Sequence, residues 1–209
     1  MKRVKHALLV LCLLVGAGSW LAPAQGQTSH VRLEVAPGSK AAYRVREQLA
    51  GYDLPNDAVG TTEAVSGVLV LAADGTFDRE RSRIVVDLTT LASDQSMRDN
   101  YVRNRTLETE KFPSAEFVPS RVQGLPLPAP SSGKASFQLL GDLTAHGVTR
   151  PVAWAVDAVF APDRTTARAT TSFPFSTFDL QIPKLARLLS VDDRIQLELD
   201  LTLTRTTVP

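Results

Sequence analysis

Near the C-terminus, Ile195, Leu197, Leu199, Leu201 and Leu203 alternate with Gln196, Glu198, Asp200, Thr202 and Thr204. Period-two alternation of this kind constrains the chain more than any other feature. Successive side chains of an extended strand point to opposite faces, so the run is a strand with one dry and one wet face. Shorter runs recur upstream: Val31-Leu33-Val35, Tyr43-Val45, Val65 to Leu71, Ile84-Val86-Leu88, Phe117 to Val122, Phe137-Leu139 with Leu143, Val152-Trp154-Val156 and Ala167-Ala169-Thr171-Phe173. Gly, Pro, Asp and Ser separate them. The expectation is an all-β chain of about eight or nine antiparallel strands, which must pair into a sandwich or close into a barrel to bury their dry faces.

Three stretches depart from this pattern. Ser93 to Glu108 lacks alternation and spaces Met97, Tyr101, Val102 and Leu107 at roughly helical intervals, which predicts one short helix with Ser93 or Asp94 as N-cap. Within it, Asp99 and Arg103 are placed for an i, i+4 ion pair. Gly124 to Gly133, with Pro126, Pro128 and Pro130, reads as a stiff loop between strands. No strand is read between Val45 and Val65, where Asp53, Pro55 and Asp57 mark a long loop.

The N-terminus reads as an export leader: Lys2, Arg3, Lys5 and His6, then apolar Ala7 to Val15, then Ala22-Pro23-Ala24 fitting the small-x-small cleavage rule. The apolar run is interrupted by Gly16, Gly18 and Ser19 and falls short of the roughly 20 residues of a membrane span. Expected organisation is therefore a leader over 1–24 and a single domain over 25–209, working in the periplasm or outside the cell. The one cysteine, Cys12, falls in the leader, which excludes disulfides, thiolate metal sites and a cysteine nucleophile from the remainder. The 23 Lys and Arg barely exceed the 22 Asp and Glu, and the leader removes three of those cations, so the basic surplus of a nucleic-acid binder is missing. No H-E-x-x-H and no G-x-S-x-G occurs, and no metal or catalytic residues are expected.

Dense charge on the wet face, such as Arg83, Asp87, Glu198 and Asp200, favours a barrel with an apolar lumen over a membrane barrel, whose apolar face points outward. An eight-stranded barrel is just wide enough to be filled by side chains or to hold one ligand. Aromatics are only 6% of the chain and several inward positions hold Ala, Gly, Thr or Val, which suits a cavity. Trp154, Phe137, Phe117 and Tyr43 filling the lumen as an ordinary core remains the alternative.

The segment Gly141-Asp142-Leu143-Thr144-Ala145-His146-Gly147-Val148-Thr149-Arg150-Pro151-Val152 reads as strand, tight turn, strand, with Gly147 free to take φ > 0 and Pro151 where no ladder donor is needed. This string resembles the signature hairpin of the YceI-like family, the polyisoprenoid-binding, lipocalin-like proteins. Arg98-Asp99 with Arg103, followed by Glu110-Lys111-Phe112-Pro113-Ser114-Ala115-Glu116-Phe117, resembles a second motif of that family. A weaker echo is Ser176-Thr177-Phe178-Asp179-Leu180 with Val191-Asp192-Asp193. The resemblance spans residues 28 to 205. It implies an extended antiparallel β-barrel whose lumen takes a long apolar tail, in exported bacterial proteins.

On that basis the lumen is expected to be lined by Tyr43, Val45, Leu69, Ile84, Val86, Phe117, Phe137, Leu139, Trp154, Val156, Phe173, Phe178, Leu197 and Leu199. Arg98, Arg103 and His146 are the candidate rim or head-group residues, although both arginines also read as helix anchors and His146 as a turn residue. The expected function is non-enzymatic: holding a polyisoprenoid or isoprenoid quinone-like amphiphile for transport, storage or sequestration, with no cofactor beyond that lipid. A structural or stress-related envelope module with a filled barrel and a partner on its outer surface is the alternative. The expected partner is a long-chain isoprenoid lipid, with a homodimer left open. Trp154→Asp should place an unpaired charge in the interior and abolish folding or ligand uptake, as thermal unfolding and lipid binding would show.

Overall fold

The alternating C-terminal run forms the longest strand of the molecule, and the barrel is assembled along it. The computed structural model describes residues 30–51, 53–184 and 188–208, so the leader over 1–24 lies outside the described residues. These residues form β1 (His30–Val35), β2 (Lys40–Leu49), β3 (Asn56–Thr62), β4 (Val65–Leu71), β5 (Arg83–Asp87), β6 (Ser114–Gln123), β7 (Gly133–Ala145), β8 (Val148–Phe160), β9 (Arg164–Phe173) and β10 (Leu188–Val208). One short helix, α1 (Ser96–Tyr101), runs directly into a π turn over Val102–Thr106.

The strands are antiparallel neighbours in the order β1-β4-β5-β6-β7-β8-β9-β10-β2-β3, and β1 also pairs with β10, which closes the ring. β10 manages this by its length. One edge carries β9 from Ile195 to Thr204; the other carries β2 from Leu188 to Asp200 and then β1 from Leu203 to Val208. β1 and β2 are thus two halves of one bent strand, and β3 and β4, which pair with β2 and β1 respectively, are halves of another. Around the ring this amounts to eight strand positions, the expected number.

The bend between β1 and β2 takes residues 36–39 out of the ladder opposite Leu201 and Thr202 of β10, and Ser39 repairs it. Ser39 is buried; its hydroxyl lies 2.9 Å from Ala36 O and 3.2 Å from Thr202 O and accepts from the Thr202 N–H at 3.0 Å. At the β7–β8 hairpin the two-residue turn has φ of 52° at His146 and 73° at Gly147. Positive φ at both central positions matches the right-handed twist of the flanking strands. Pro151 sits on β8 before the stretch that pairs with β9, as expected.

β5 pairs with β4 but not β3, so the wall beside β3 is completed by the segment that follows β5. Thr61 and Ala92 exchange N–H···O bonds of 2.8 and 3.0 Å, and the hydroxyls of Thr62 and Thr90 meet at 2.6 Å. This contact brings α1 against one end of the barrel.

Three local expectations need correction. β3 replaces part of the expected long loop: its inward residues Ala58, Gly60 and Thr62 are small, so the strand carries no hydrophobic period. The residue preceding α1 is Gln95, without a side-chain cap, while Ser93 donates through N–H (2.8 Å) and Oγ (2.6 Å) to Asp99 Oδ1. Asp99 therefore does not meet Arg103, which instead donates to Leu91 O at 2.7 Å and Asn100 Oδ1 at 3.2 Å. The π turn, marked by Leu107 N–H bonding Val102 O, shifts the side-chain register on which an i, i+4 pair relies.

The outward face carries ion pairs rather than an apolar band. Glu198 accepts from Arg44 Nε at 3.0 Å and Arg168 Nη2 at 2.8 Å across three adjacent strands. No helix among the described residues is long and apolar enough to cross a membrane. Ser39→Ala should destabilise the barrel by about 1–3 kcal/mol, because it removes the partner of the Thr202 N–H at the bend. The expected readout is a lower urea midpoint at unchanged slope.

Candidate functional site

The barrel is filled at one end and hollow at the other. In the filled half, Leu33, Leu69, Leu71, Phe160, Leu201 and Leu203 pack together with Phe77 and Leu125 from the loops. In the hollow half a cavity of about 730 Å³ remains, within the range of roughly 300–1,000 Å³ found for small-molecule sites. Trp154, Phe117, Leu199 and Ala41 lie toward its closed end. Tyr43, Val45, Ile84, Val86, Ile195 and Leu197 form its strand walls, and Phe173, Phe175 and Phe178 close one side. It opens among Leu49, Asn56, Met97, Pro183 and Leu188.

The space exists because of what the inward positions hold. Ala41, Ala58, Ala115 and Ala145 line the cavity where larger side chains would fill it. The aromatics pair along the wall: Phe117 meets Trp154 edge-on with centroids 5.9 Å apart, and Phe173 meets Phe178 at 4.8 Å. Tyr43 lies across Gly60 of the neighbouring strand, where a Cβ would sit 2.2 Å from its ring. Glycine is required there by close approach alone.

Ten of the expected lining residues border the cavity: Tyr43, Val45, Ile84, Val86, Phe117, Trp154, Phe173, Phe178, Leu197 and Leu199. Leu69, Phe137, Leu139 and Val156 do not. They belong to the packed core, with Phe137 opposite Val156 and Leu139 opposite Trp154 on the β7–β8 ladder. Alternation tells which face a residue takes but not its height along the barrel axis.

Of the candidate rim residues, only Arg98 reaches the cavity. Arg103 is turned toward Leu91 and Asn100. His146 is a clamp outside the cavity wall: its Nε2 lies 3.1 Å from Glu108 Oε2, its Nδ1 lies 3.3 Å from Phe178 O, and Phe112 packs edge-on against its ring. Its position in a tight turn carries it to the barrel's outside edge.

The mouth holds a small charged network. Arg98 Nη2 donates to Glu47 Oε1 at 2.8 Å, with both side chains largely buried, and its Nη1 donates to Asp94. Burial opposes the Arg98 charge, but the carboxylates outweigh it and hold the guanidinium above its ordinary range. Glu47 was legible in principle, since it shares the inward parity of Tyr43 and Val45 and places a charge on a dry face. Phe175 and Thr106 come from non-strand segments and carry no such signal. Trp154 Nε1 and Thr106 Oγ1, both on residues of the cavity wall, are buried without a hydrogen-bond partner. Buried polar atoms are rarely left so. Among the described residues no three His, Cys, Asp or Glu side chains gather as a metal site would require.

Tyr43 is pushed up to about 12, chiefly by burial, with Arg98 opposing and Asp99, Glu47 and Asp94 reinforcing. The folded state thus holds the phenol proton more tightly than the unfolded chain, whose tyrosines titrate near 10. This contribution to stability is complete below about pH 10 and is lost as pH rises toward 12. Tyr43→Phe should flatten the fall in melting temperature across that window, and ultraviolet titration of the native protein should show one tyrosine ionising late.

Comparison with known proteins agrees with this architecture. A family model described as a YceI-like domain matches residues 26–203. A UPF0312 protein of Pseudomonas putida (strain GB-1) is 40% identical over 76 residues, 35% of this chain and 36% of that protein. One from Pseudomonas fluorescens (strain SBW25) is 38% identical over 87 residues, 38% of this chain and 42% of that protein. The chain therefore matches less than half the length of these curated relatives. Among solved structures, a polyisoprenoid binding domain from Saccharophagus degradans superposes with a TM-score of 0.64 at 13% identity, covering 84% of this chain and 98% of that one. BcnA of Burkholderia cenocepacia gives a TM-score of 0.60 at 18% identity, covering 80% and 98%. At such identities the likeness is one of fold. With the family model spanning nearly all of the described barrel, the chain belongs to the YceI-like family.

Proposed function

We propose that this protein is an exported, non-catalytic lipid binder that holds a polyisoprenoid or isoprenoid quinone-like amphiphile, its tail toward Trp154 and its head at the mouth. The observation that carries this reading is the one-ended apolar cavity of about 730 Å³, closed by packed core below and fringed by Glu47, Arg98 and Asp94 above. A tail needs depth and dryness, and a head needs a few polar groups at one end. Burying apolar surface is worth roughly 25 cal/mol per Å², so several hundred Å² of tail would bind without specific hydrogen bonds. The unpartnered Trp154 Nε1 and Thr106 Oγ1 add a donor and a hydroxyl that an oxygen-bearing ligand would satisfy.

Further support comes from the similar fold of the polyisoprenoid binding domain from Saccharophagus degradans. Export is read from the leader over 1–24, which supports a location in the periplasm or outside the cell. A barrel filled throughout, acting only through its outer surface, fits the lower half of the interior but not the upper half.

Mass spectrometry of an organic extract of the protein from its native host should show a prenyl lipid or quinone. Delipidated protein should take up geranylgeraniol or a short-chain ubiquinone, and Ala41→Phe, which fills the closed end, should weaken uptake about tenfold while leaving the melting temperature nearly unchanged. An extract free of lipid, together with no uptake of either probe, would overturn the proposal.

A further inference from the structure

Of the exposed large apolar side chains among the described residues, Leu127 lies in the β6–β7 loop and Val159 on β8, and the other four gather in one place. Leu54 is 77% exposed, Met97 81%, Leu189 65% and Ile182 37%. Leu54 lies in the β2–β3 connection between Ala50 and Asn56, both on the cavity wall; Met97 is itself on the wall; and Ile182 and Leu189 adjoin Pro183 and Leu188, which also border the cavity. Four solvent-facing apolar side chains thus come from three separate segments and converge on one opening. Isolated exposed leucines need no explanation, but a cluster around a mouth does.

We infer that this rim docks the barrel mouth onto the surface of a lipid bilayer, so that a tail passes between membrane and cavity without crossing water. The inference rests on the lipid-holding reading above. Continuity selects the occupant: the apolar wall of the cavity runs through Met97, Pro183 and Leu188 directly into the exposed set, and a bilayer is the surface from which an isoprenoid tail would come. Among the described residues the charges around the opening are mixed in sign, with Asp53, Asp94 and Asp192 against Lys184, and form no basic cluster that would seek anionic lipid. Docking therefore depends on shallow apolar insertion, as for other interfacial proteins.

The test uses the full chain and phosphatidylcholine vesicles. Wild-type protein should float with the vesicles and draw geranylgeraniol out of them. Leu54→Asp combined with Leu189→Asp, both outside the main cavity wall, should cut the floating fraction and the rate of extraction by at least about tenfold. The same variant should take up geranylgeraniol added from ethanol with unchanged affinity. Replacing part of the phosphatidylcholine by phosphatidylglycerol should change flotation little. Wild-type protein that stays at the bottom of the gradient, a variant that floats equally well, or a strict need for anionic lipid would each overturn the inference. So would a wild-type dimer that the same substitutions convert to monomer, since the rim would then be covered by a second copy. Failure of wild-type protein to take up geranylgeraniol from ethanol would instead overturn the lipid-holding reading, and flotation would still decide the docking.

Discussion

Closure of the barrel rests on the double ladder of β10, which holds β9 along one edge from Ile195 to Thr204 and β2 then β1 along the other. A sheet of this many strands with a free edge would present unpaired N–H and C=O groups to any passing chain. One long strand removes the problem by bridging two half-strands that neither could span alone. The cost is a bend between β1 and β2, and the buried Ser39 hydroxyl restores there the hydrogen bonds that the backbone gives up.

From that closure follows the division of the interior. Where β1, flanked by β4, meets the C-terminal half of β10, the inward residues are mostly leucines and the space is packed. Where β2, flanked by β3, meets its N-terminal half, the inward residues include Ala41, Ala58 and Gly60, and the space is left open. Interiors are ordinarily packed like organic crystals. A persistent cavity therefore needs walls braced from behind, and the edge-on pairs of Phe117 with Trp154 and Phe173 with Phe178 do this by meeting each other rather than the centre.

The gap left between β3 and β5 determines where charge enters. The segment after β5 crosses that gap, and α1 arrives with Arg98 facing Glu47 of β2. Removing a guanidinium and a carboxylate from water is costly, and the pair is weak evidence for stability. Its value lies in position: a satisfied polar group at one end of an otherwise apolar space gives that space a direction. His146, joined to Glu108 and Phe178 O, fastens the loop after α1 and the Phe175–Phe178 turn to the β7–β8 hairpin, and so supports this wall from outside.

The strands, their inward faces, the Gly147 turn and the family were legible from residue alternation and from two spaced motifs, because period two and turn chemistry are local properties. β3 was not, since its inward residues are small for the sake of Tyr43, a partner on another strand. The expected Asp99–Arg103 pair failed for a similar reason: Ser93 offered Asp99 two donors, and the π turn altered the spacing. Residue alternation is enough for an all-β chain with one dry face, and the barrel comes from the likeness of its two motifs to the YceI-like family. That Leu69, Phe137, Leu139 and Val156 pack while Val86, Leu197 and Trp154 face a cavity follows from the closed fold, because height along the barrel axis depends on strand register and closure, which no single run of residues contains.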